Sequence, residues 1–272
     1  MNRRRFIRRG LGALAAAGLG LAGYGCAVET RRVQFEERTI AISGLPTHLD
    51  GFTIGLLADL HVGPTTPEAF VHRVAEQLAA RKPDLVVVAG DFIGSHDHVD
   101  SANRALAPVN GALAVLGNWD YYNPVIRESL TSVRLLINEG LTVADGLWVG
   151  GVDEPRLGEP DVARAMAGAP EGAVRILICH EPDFADPLVR PEHRVALQLS
   201  GHSHAGQVRL PVLGPLLLPP GGQRYHTGLY QAPHCQVYTT RGVGTAHIPL
   251  RLFCPPEVSL LRLTAATPGT PD

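Results

Sequence analysis

Five short apolar segments, 52–58, 85–89, 112–116, 174–179 and 195–199, each run directly into a turn that carries a metal-binding side chain. The turns hold Asp59 and His61, then Asp91, then Asn118, then His180, then His202 and His204. Aliphatic, β-branched runs of this length, bounded by Gly or polar turns, predict buried strands. Residues 67–81 set Phe70, Val71, Val74 and Leu78 on one helical face, and Pro83 ends the pattern. A second amphipathic stretch carries Ile126, Leu130, Val133 and Ile137, and a further strand is predicted at 147–152. The alternation of strand and helix predicts an α/β domain with buried, partly parallel sheets. In open sheets of that kind ligands bind beyond the carboxyl ends of the strands, where all five turns fall. Gly90, Gly117 and Gly201 precede or begin these turns, where a missing Cβ lets the chain bend. After Gly201 the character changes: Pro211, Gly214, Pro219, Pro220, Gly221 and Gly222 punctuate short apolar runs, which predicts antiparallel strands and loops as far as Leu263. A candidate site spread from residue 59 to 204 requires one domain, 35–263, with 264–272 as a disordered tail.

The set is two carboxylates, one amide and four imidazoles. Nitrogen and oxygen donors without thiolate suit Mn, Zn or Fe. Seven donors are too many for one tetrahedral ion and match two adjacent divalent ions sharing a carboxylate. Two such ions against Asp59, Asp91 and a bridging hydroxide leave roughly one positive charge, which attracts a phosphate and stabilises the negative charge of its transition state. Each fragment has an ordinary alternative. A lone Asp-x-His is a weak signal, Gly-Asp at a strand end is common as a cap or turn, and His-x-His in a turn can be a polar surface feature. The order and spacing of all five together set the group apart.

Charge divides the chain. Residues 1–26 hold five Arg and no acid, so the overall −2 conceals 19 basic against 26 acidic residues in the remainder, a net −7. That acidic body has no electrostatic footprint for nucleic acid. A basic start followed by the small and apolar stretch 11–23 reads as an export signal, shorter than a confident spanning helix. Arg3-Arg4-x-Phe6-Ile7-Arg8 resembles the bacterial twin-arginine signal, which directs folded proteins outward. The segment 1–27 is therefore expected to be an export signal or a membrane tether, placing the protein in the periplasm or at the outer face of the cytoplasmic membrane. Cleavage near Ala27, acylation at Cys26 and retention all stay open. Of the four cysteines, Cys179 reads as a buried small hydrophobe, and Cys235 and Cys254 are candidates for pairing.

Asp59-x-His61, Gly90-Asp91, Gly117-Asn118-x-Asp120, His180 and Gly201-His202-x-His204 resemble the calcineurin-like metallophosphoesterases. His180-Glu181-Pro182-Asp183, the run from Gly201 to Gln207, Arg241-Gly-Val-Gly244 and Pro256-Glu257-Val258 are similar to its small bacterial YkuE/YaeI-type phosphodiesterase branch. The resemblance spans about residues 35–263 and implies two mixed β-sheets packed as a sandwich and flanked by helices. It implies one ion on Asp59, His61 and His204, a second on Asn118, His180 and His202, and Asp91 between them, with a bridging hydroxide attacking phosphorus in line. Asn118 thereby sits among the catalytic residues.

Most of that family has a histidine, followed by an acid, where this chain has Trp119 and Asp120. An indole has one N–H donor and cannot protonate a leaving oxygen. Trp119 is accordingly expected to bind substrate, by stacking on a base or sugar or by covering a lipid chain, and the leaving group to depart as an anion. Failing that, Asp120, His226, His96 or His98 would act as the acid, with the last two more simply read as solvated loop residues. Arg224 or Arg241 could hold a phosphate oxygen. His48, His72, His193, His234 and His247 are read as surface or structural. The leading expectation is dinuclear metal-dependent hydrolysis of a phosphoester or a lipid-diphosphate by a monomer, on envelope- or lipid-linked substrates. The alternatives are a non-catalytic, metal-stabilised envelope-binding protein and a cytosolic nucleotide phosphodiesterase.

Overall fold

The computed structural model describes residues 3–266, with side chains from Leu11 onward except those at 14 and 15. The side chains of the twin-arginine motif and residues 267–272 of the expected tail lie outside the described residues. Helix α1 (Arg3–Ala27) is longer than the stretch 11–23 suggests, because its glycines do not interrupt it. The segment Leu11–Arg31 is long and apolar enough to cross a membrane, although near-terminal signal sequences share that property.

The strands and helices then run β1 (Gln34–Ile42), β2 (Thr53–Leu57), α2 (Glu68–Ala79), β3 (Leu85–Ala89), α3 (Val99–Leu106) and β4 (Ala112–Val115). They continue with α4 (Ile126–Ser129), β5 (Val133–Leu135), β6 (Glu139–Ala144), β7 (Leu147–Gly151), α5 (Val162–Ala165), β8 (Val174–Ile178), α6 (Ala185–Leu188) and β9 (Val195–Ser200). The last part holds β10 (Arg209–Leu210), β11 (Gly214–Pro215), β12 (Gly228–Gln231), β13 (Gln236–Thr239) and β14 (Glu257–Ala265).

Two six-stranded mixed sheets result, in the orders β1-β14-β2-β3-β4-β5 and β12-β13-β9-β8-β7-β6. They pack face to face. Leu56, Val87 and Val115 of the first meet Val149, Ile176 and Leu199 of the second in one buried cluster. Helices α2 and α3 cover the outer face of the first sheet, with Val71, Val74, Leu78 and Leu106 packed among Leu57 and Val88. On the far side Val162, Ala165 and Ala185 pack with Leu177 and Val237. Burial on both faces explains why the central strands read as unbroken apolar runs.

Four expectations need correction. The amphipathic stretch after Ile126 is helical only to Ser129; Val133 lies in β5, so Ile126, Leu130 and Val133 share the core through a bend instead of a helix face. The region beyond Gly201 is not purely antiparallel: β10–β11 and β12–β13 are, but β13 runs parallel to β9 and β14 parallel to β1. Strand β14 also reaches Ala265, past the expected start of the tail. Cys235 sits in the outer cluster of the second sheet while Cys254 lies against the His204 carbonyl, and both are free thiols.

Leu199 is fully buried where the sheets meet. Leu199→Ala is expected to destabilise the fold by about 2–5 kcal/mol, read from urea unfolding, since the rigid sheets around it relax only partly into the cavity.

Candidate metal centre

Each candidate ligand follows the end of a buried strand. Asp59 and His61 follow β2, Asp91 follows β3 and Asn118 follows β4; His180 follows β8, and His202 and His204 follow β9. The first four come from one sheet and the last three from the other. To turn these side chains inward the chain enters left-handed conformations at Asp59, His61, Asp91, His202 and His204, with φ of 52°, 44°, 58°, 68° and 48°. Non-glycine residues seldom adopt that region, and a run of them marks strain held by the surroundings. Two glycines permit the close approach. Gly90 turns at φ 89°, and a Cβ at Gly117 would collide with the Asp91 carboxylate.

The surroundings supply matching hydrogen bonds. Asp120, fully buried, accepts from the backbone N–H groups of Asp91, Phe92 and Gly117 at 2.8, 2.9 and 2.9 Å, joining the β3 and β4 turns. Asp59 accepts from His202 N–H at 2.8 Å and so connects the turns of the two sheets. The Trp119 N–H donates to Asp91 Oδ1 at 2.9 Å, leaving Oδ2 3.5 Å from His61 Nε2 and 3.4 Å from His180 Nε2.

Two donor groups form: Asp59, His61 and His204, and Asp91, His180 and His202, all buried. Asp91 faces both. The Asn118 Oδ1 is buried without a partner, in a residue that lines the same cavity as Asp91, His202 and His204, and His61 Nδ1 is likewise unpartnered. The imidazole bonds define which nitrogens are free. His180 Nδ1–H donates to the Ala89 carbonyl at 2.6 Å and His202 Nε2–H to that of Pro220 at 2.9 Å. His180 Nε2 and His202 Nδ1 face each other at 3.2 Å, and with His180 charged the proton on Nε2 stands where a metal cation could replace it. Nitrogen and carboxylate donors with no thiolate fit two divalent ions such as Mn, Zn or Fe.

Charge in this cluster is held by protons. Burial pushes the Asp59 carboxyl up to about 7. It pushes His61 down to about 4, His202 down to about 3 and His204 well below the ordinary imidazole value. Burial would raise Asp91 too, but the facing His180 outweighs it and holds that carboxyl well below the usual range. Burial disfavours the His180 cation, yet Asp91 reverses this and lifts His180 to about 10. Burial also raises Asp120 to about 7.

Above the donors opens a cavity of about 390 Å³, walled by Trp119, Arg156, Leu217, Leu218 and His247. The Trp119 ring stands edge-on to His61 with centroids 5.0 Å apart and lies 5.1 Å from His247, which separates this cavity from a second one lined by His96 and Tyr122. Among the anticipated acids, Asp120 is spent on backbone bonds and does not line the cavity. His96 is exposed in the neighbouring cavity, His98 bonds Ser95, and the His226 ring lies tilted toward that of Tyr230. Neither anticipated arginine reaches the cavity: Arg224 pairs with Asp186, and Arg241 with Glu36 and Glu257. The cation on the wall is Arg156, held by the buried Glu181. His247, read from sequence as surface or structural, is the imidazole outside the candidate ligand set that stands beside Trp119; Gln207 fixes its neighbour Ala246 through Oε1 at 2.6 Å and Nε2 at 3.1 Å. Arg251 is buried beneath the site and donates to the carbonyls of Arg241, Gly242 and Gly244. Neither Arg156 nor His247 carries a motif; only adjacency in space reveals them.

Residues 52–240 match the profile of the Calcineurin-like phosphoesterase superfamily domain. The chain is 34% identical to the uncharacterized metallophosphoesterase YkuE of Bacillus subtilis, across 97% of this chain and 98% of that protein. It is 28% identical to the phosphodiesterase YaeI of Escherichia coli, across 97% and 99%. It is also 29% identical to a transmembrane protein with metallophosphoesterase domain from Danio rerio, covering 90% of this chain and 61% of that longer protein.

A cation entering this cluster must displace protons, because below about pH 7 Asp59 is neutral and His180 stays charged up to about 10. Mn²⁺ affinity is therefore expected to rise between about pH 6 and 8, with proton release seen by calorimetry in buffers of differing ionisation enthalpy.

Proposed function

The chain belongs to the calcineurin-like phosphoesterase superfamily and is a metallophosphoesterase, and from that premise we propose that it hydrolyses phosphoester or diphosphate bonds of envelope- or lipid-linked substrates outside the cytoplasm. The observation that carries the chemistry is the convergence of Asp59, His61 and His204 with Asp91, His180 and His202 under one cavity. Two divalent ions, when bound, would supply Lewis-acid polarisation of a phosphoryl oxygen and a water of lowered pKa.

The chain's own residues do the remainder. Asp91 lies between the two groups, and Asn118 brings a buried, unpartnered oxygen to the same cavity for an ion to use. Arg156 brings a positive charge to the wall for a phosphate oxygen, with Glu181 holding the guanidinium in place. Trp119, Leu217 and Leu218 present an apolar wall that excludes water and suits an acyl chain or a ring. His247 stands beside Trp119 as a hydrogen-bond donor for the departing oxygen, a role the indole cannot fill.

Placement outside the cytoplasm is supported by the basic start of the chain and the apolar length of Leu11–Arg31. Lipid-linked substrates are supported by that location and by the apolar side of the cavity. The transmembrane name carried by one relative is in keeping with the first reading, and the phosphodiesterase name of another with phosphoester hydrolysis.

Phosphodiester hydrolysis by the full chain is expected with Mn²⁺ and not after chelation, and Asp91→Asn should lower kcat at least about 10²-fold. Inactivity with Mn, Zn and Fe alike would instead favour a non-catalytic envelope-binding protein. Across leaving groups of rising pKa, the native rate is expected to fall gently and that of His247→Ala steeply, with a loss of about 10²–10⁴-fold on alkyl esters. A steep fall in both would mean departure as an anion, as Trp119 alone would dictate.

A further inference from the structure

Residues 211–217 place four large apolar side chains in water. Val212 is 105% exposed, Leu213 78%, Leu216 60% and Leu217 79%, although a hairpin turn ordinarily carries polar residues. Val212 holds φ 71°, a conformation a β-branched residue adopts only under strain and that Gly or Asn would adopt more easily. The hairpin, β10–β11, is firmly based: Val208 bridges Leu252, Arg209 N–H donates to the Leu252 carbonyl at 2.9 Å, and Leu252 N–H donates to that of Gln207 at 2.9 Å.

The same segment holds the end of α1. Arg251 N–H donates to the Gly25 carbonyl at 3.4 Å, and Cys254 N–H donates to the buried Glu29 carboxylate at 2.6 Å. A Cβ at Gly25 would meet the Arg251 carbonyl at 2.6 Å, so helix and segment are in close contact. One stretch of chain, 250–254, is therefore bonded to the apolar hairpin and to the exit of an apolar helix. Phe253 and Ile248, about half-exposed, add apolar surface to this stretch and its approach. Arg31 and Arg32 are exposed just past the helix, where arginine side chains meet lipid headgroups.

We propose that the hairpin tip 211–217 docks into the headgroup–acyl boundary of a lipid bilayer beside the point where α1 leaves it. Continuity selects the bilayer as the occupant: whatever surrounds the apolar helix up to its last turns also meets the hairpin attached to the same segment. Leu217 and Leu218 line the cavity over the metal donors, so docking turns that cavity toward the membrane surface and offers it phosphoesters held in the leaflet. The inference rests on reading α1 as a retained membrane anchor, with its last turn built into the domain through Gly25.

Tryptophan depth quenching tests it on the full chain in phosphatidylethanolamine/phosphatidylglycerol vesicles containing brominated phosphatidylcholine. Trp119 and Trp148 set the background emission. Leu19→Trp reports the helix and Leu213→Trp the hairpin. The expected result is blue-shifted emission quenched by bromine in both. Quenching of Leu19→Trp with water-like, unquenched emission from Leu213→Trp overturns the docking while leaving the anchor intact. Quenching of Leu213→Trp alone removes the anchor reading and with it overturns docking beside α1. Quenching of neither overturns both. A blue shift at Leu213→Trp that follows protein concentration without bromine quenching assigns the hairpin to a second copy of the chain and also overturns the proposal.

Discussion

Two buried carboxylates that bind backbone hold the site together. Asp120 gathers the N–H groups of Asp91, Phe92 and Gly117, and Asp59 takes the N–H of His202 from the opposite sheet. Without these acceptors, left-handed turns at Asp91 and His202 would leave buried donors unsatisfied, each at a cost of about 1–3 kcal/mol. With them, strain at five ligand positions is distributed over a rigid pair of sheets, and the side chains converge without reorganisation. Asp59 serves twice, because the same carboxylate that joins the sheets stands among the donors. The family signature thus has a mechanical meaning as well as a chemical one.

Electrostatics follow from that packing. A cavity floor with four imidazoles and two carboxylates, closed from water, cannot carry its formal charges. It keeps one facing ion pair, Asp91 with His180, and leaves the rest neutral. The two imidazole nitrogens 3.2 Å apart, one of them protonated, show how tightly the geometry is set for positive charge. The acidic body outside, at −7 beyond the first 26 residues, does not compensate this locally.

Much of this architecture is legible in the sequence. The central strands are buried on both faces and so read as continuous apolar runs, and the ligands stand immediately beyond them. Edge strand β1 escapes such a reading because Glu36, Glu37 and Arg38 stand together in its middle and only Ile40 and Ile42 are buried. Helix α3 escapes it because Val99, Ala102, Ala105 and Leu106 make a stripe too short to register. The stretch after Ile126 misleads because a bent chain can bury the same residues as a helix. At the site, Trp119 announces itself by departing from a motif. His247 cannot, since it reaches Trp119 from a loop more than a hundred residues away. Arg224 and Arg241 lie near motifs in sequence, but acidic neighbours claim both, while Arg156 reaches the wall from the far side of the cavity.

Strand β14 lies between β1 and β2, pairing with the earliest strands of the domain. A ribosome must therefore deliver residues up to Ala265 before the first sheet can close, although β1 to β4 have long since emerged. Until then β2, which leads into Asp59 and His61, lacks one neighbour, and the turn at Gly242, which accepts the N–H of Glu257, lacks its partner. Closure of the first sheet therefore waits for β14. A metal ion meeting the chain during translation finds scattered histidines, and the same ion minutes later finds a centre. Assembly of the metal centre is thereby placed after the last strand, wherever the completed sheet first encounters the ion.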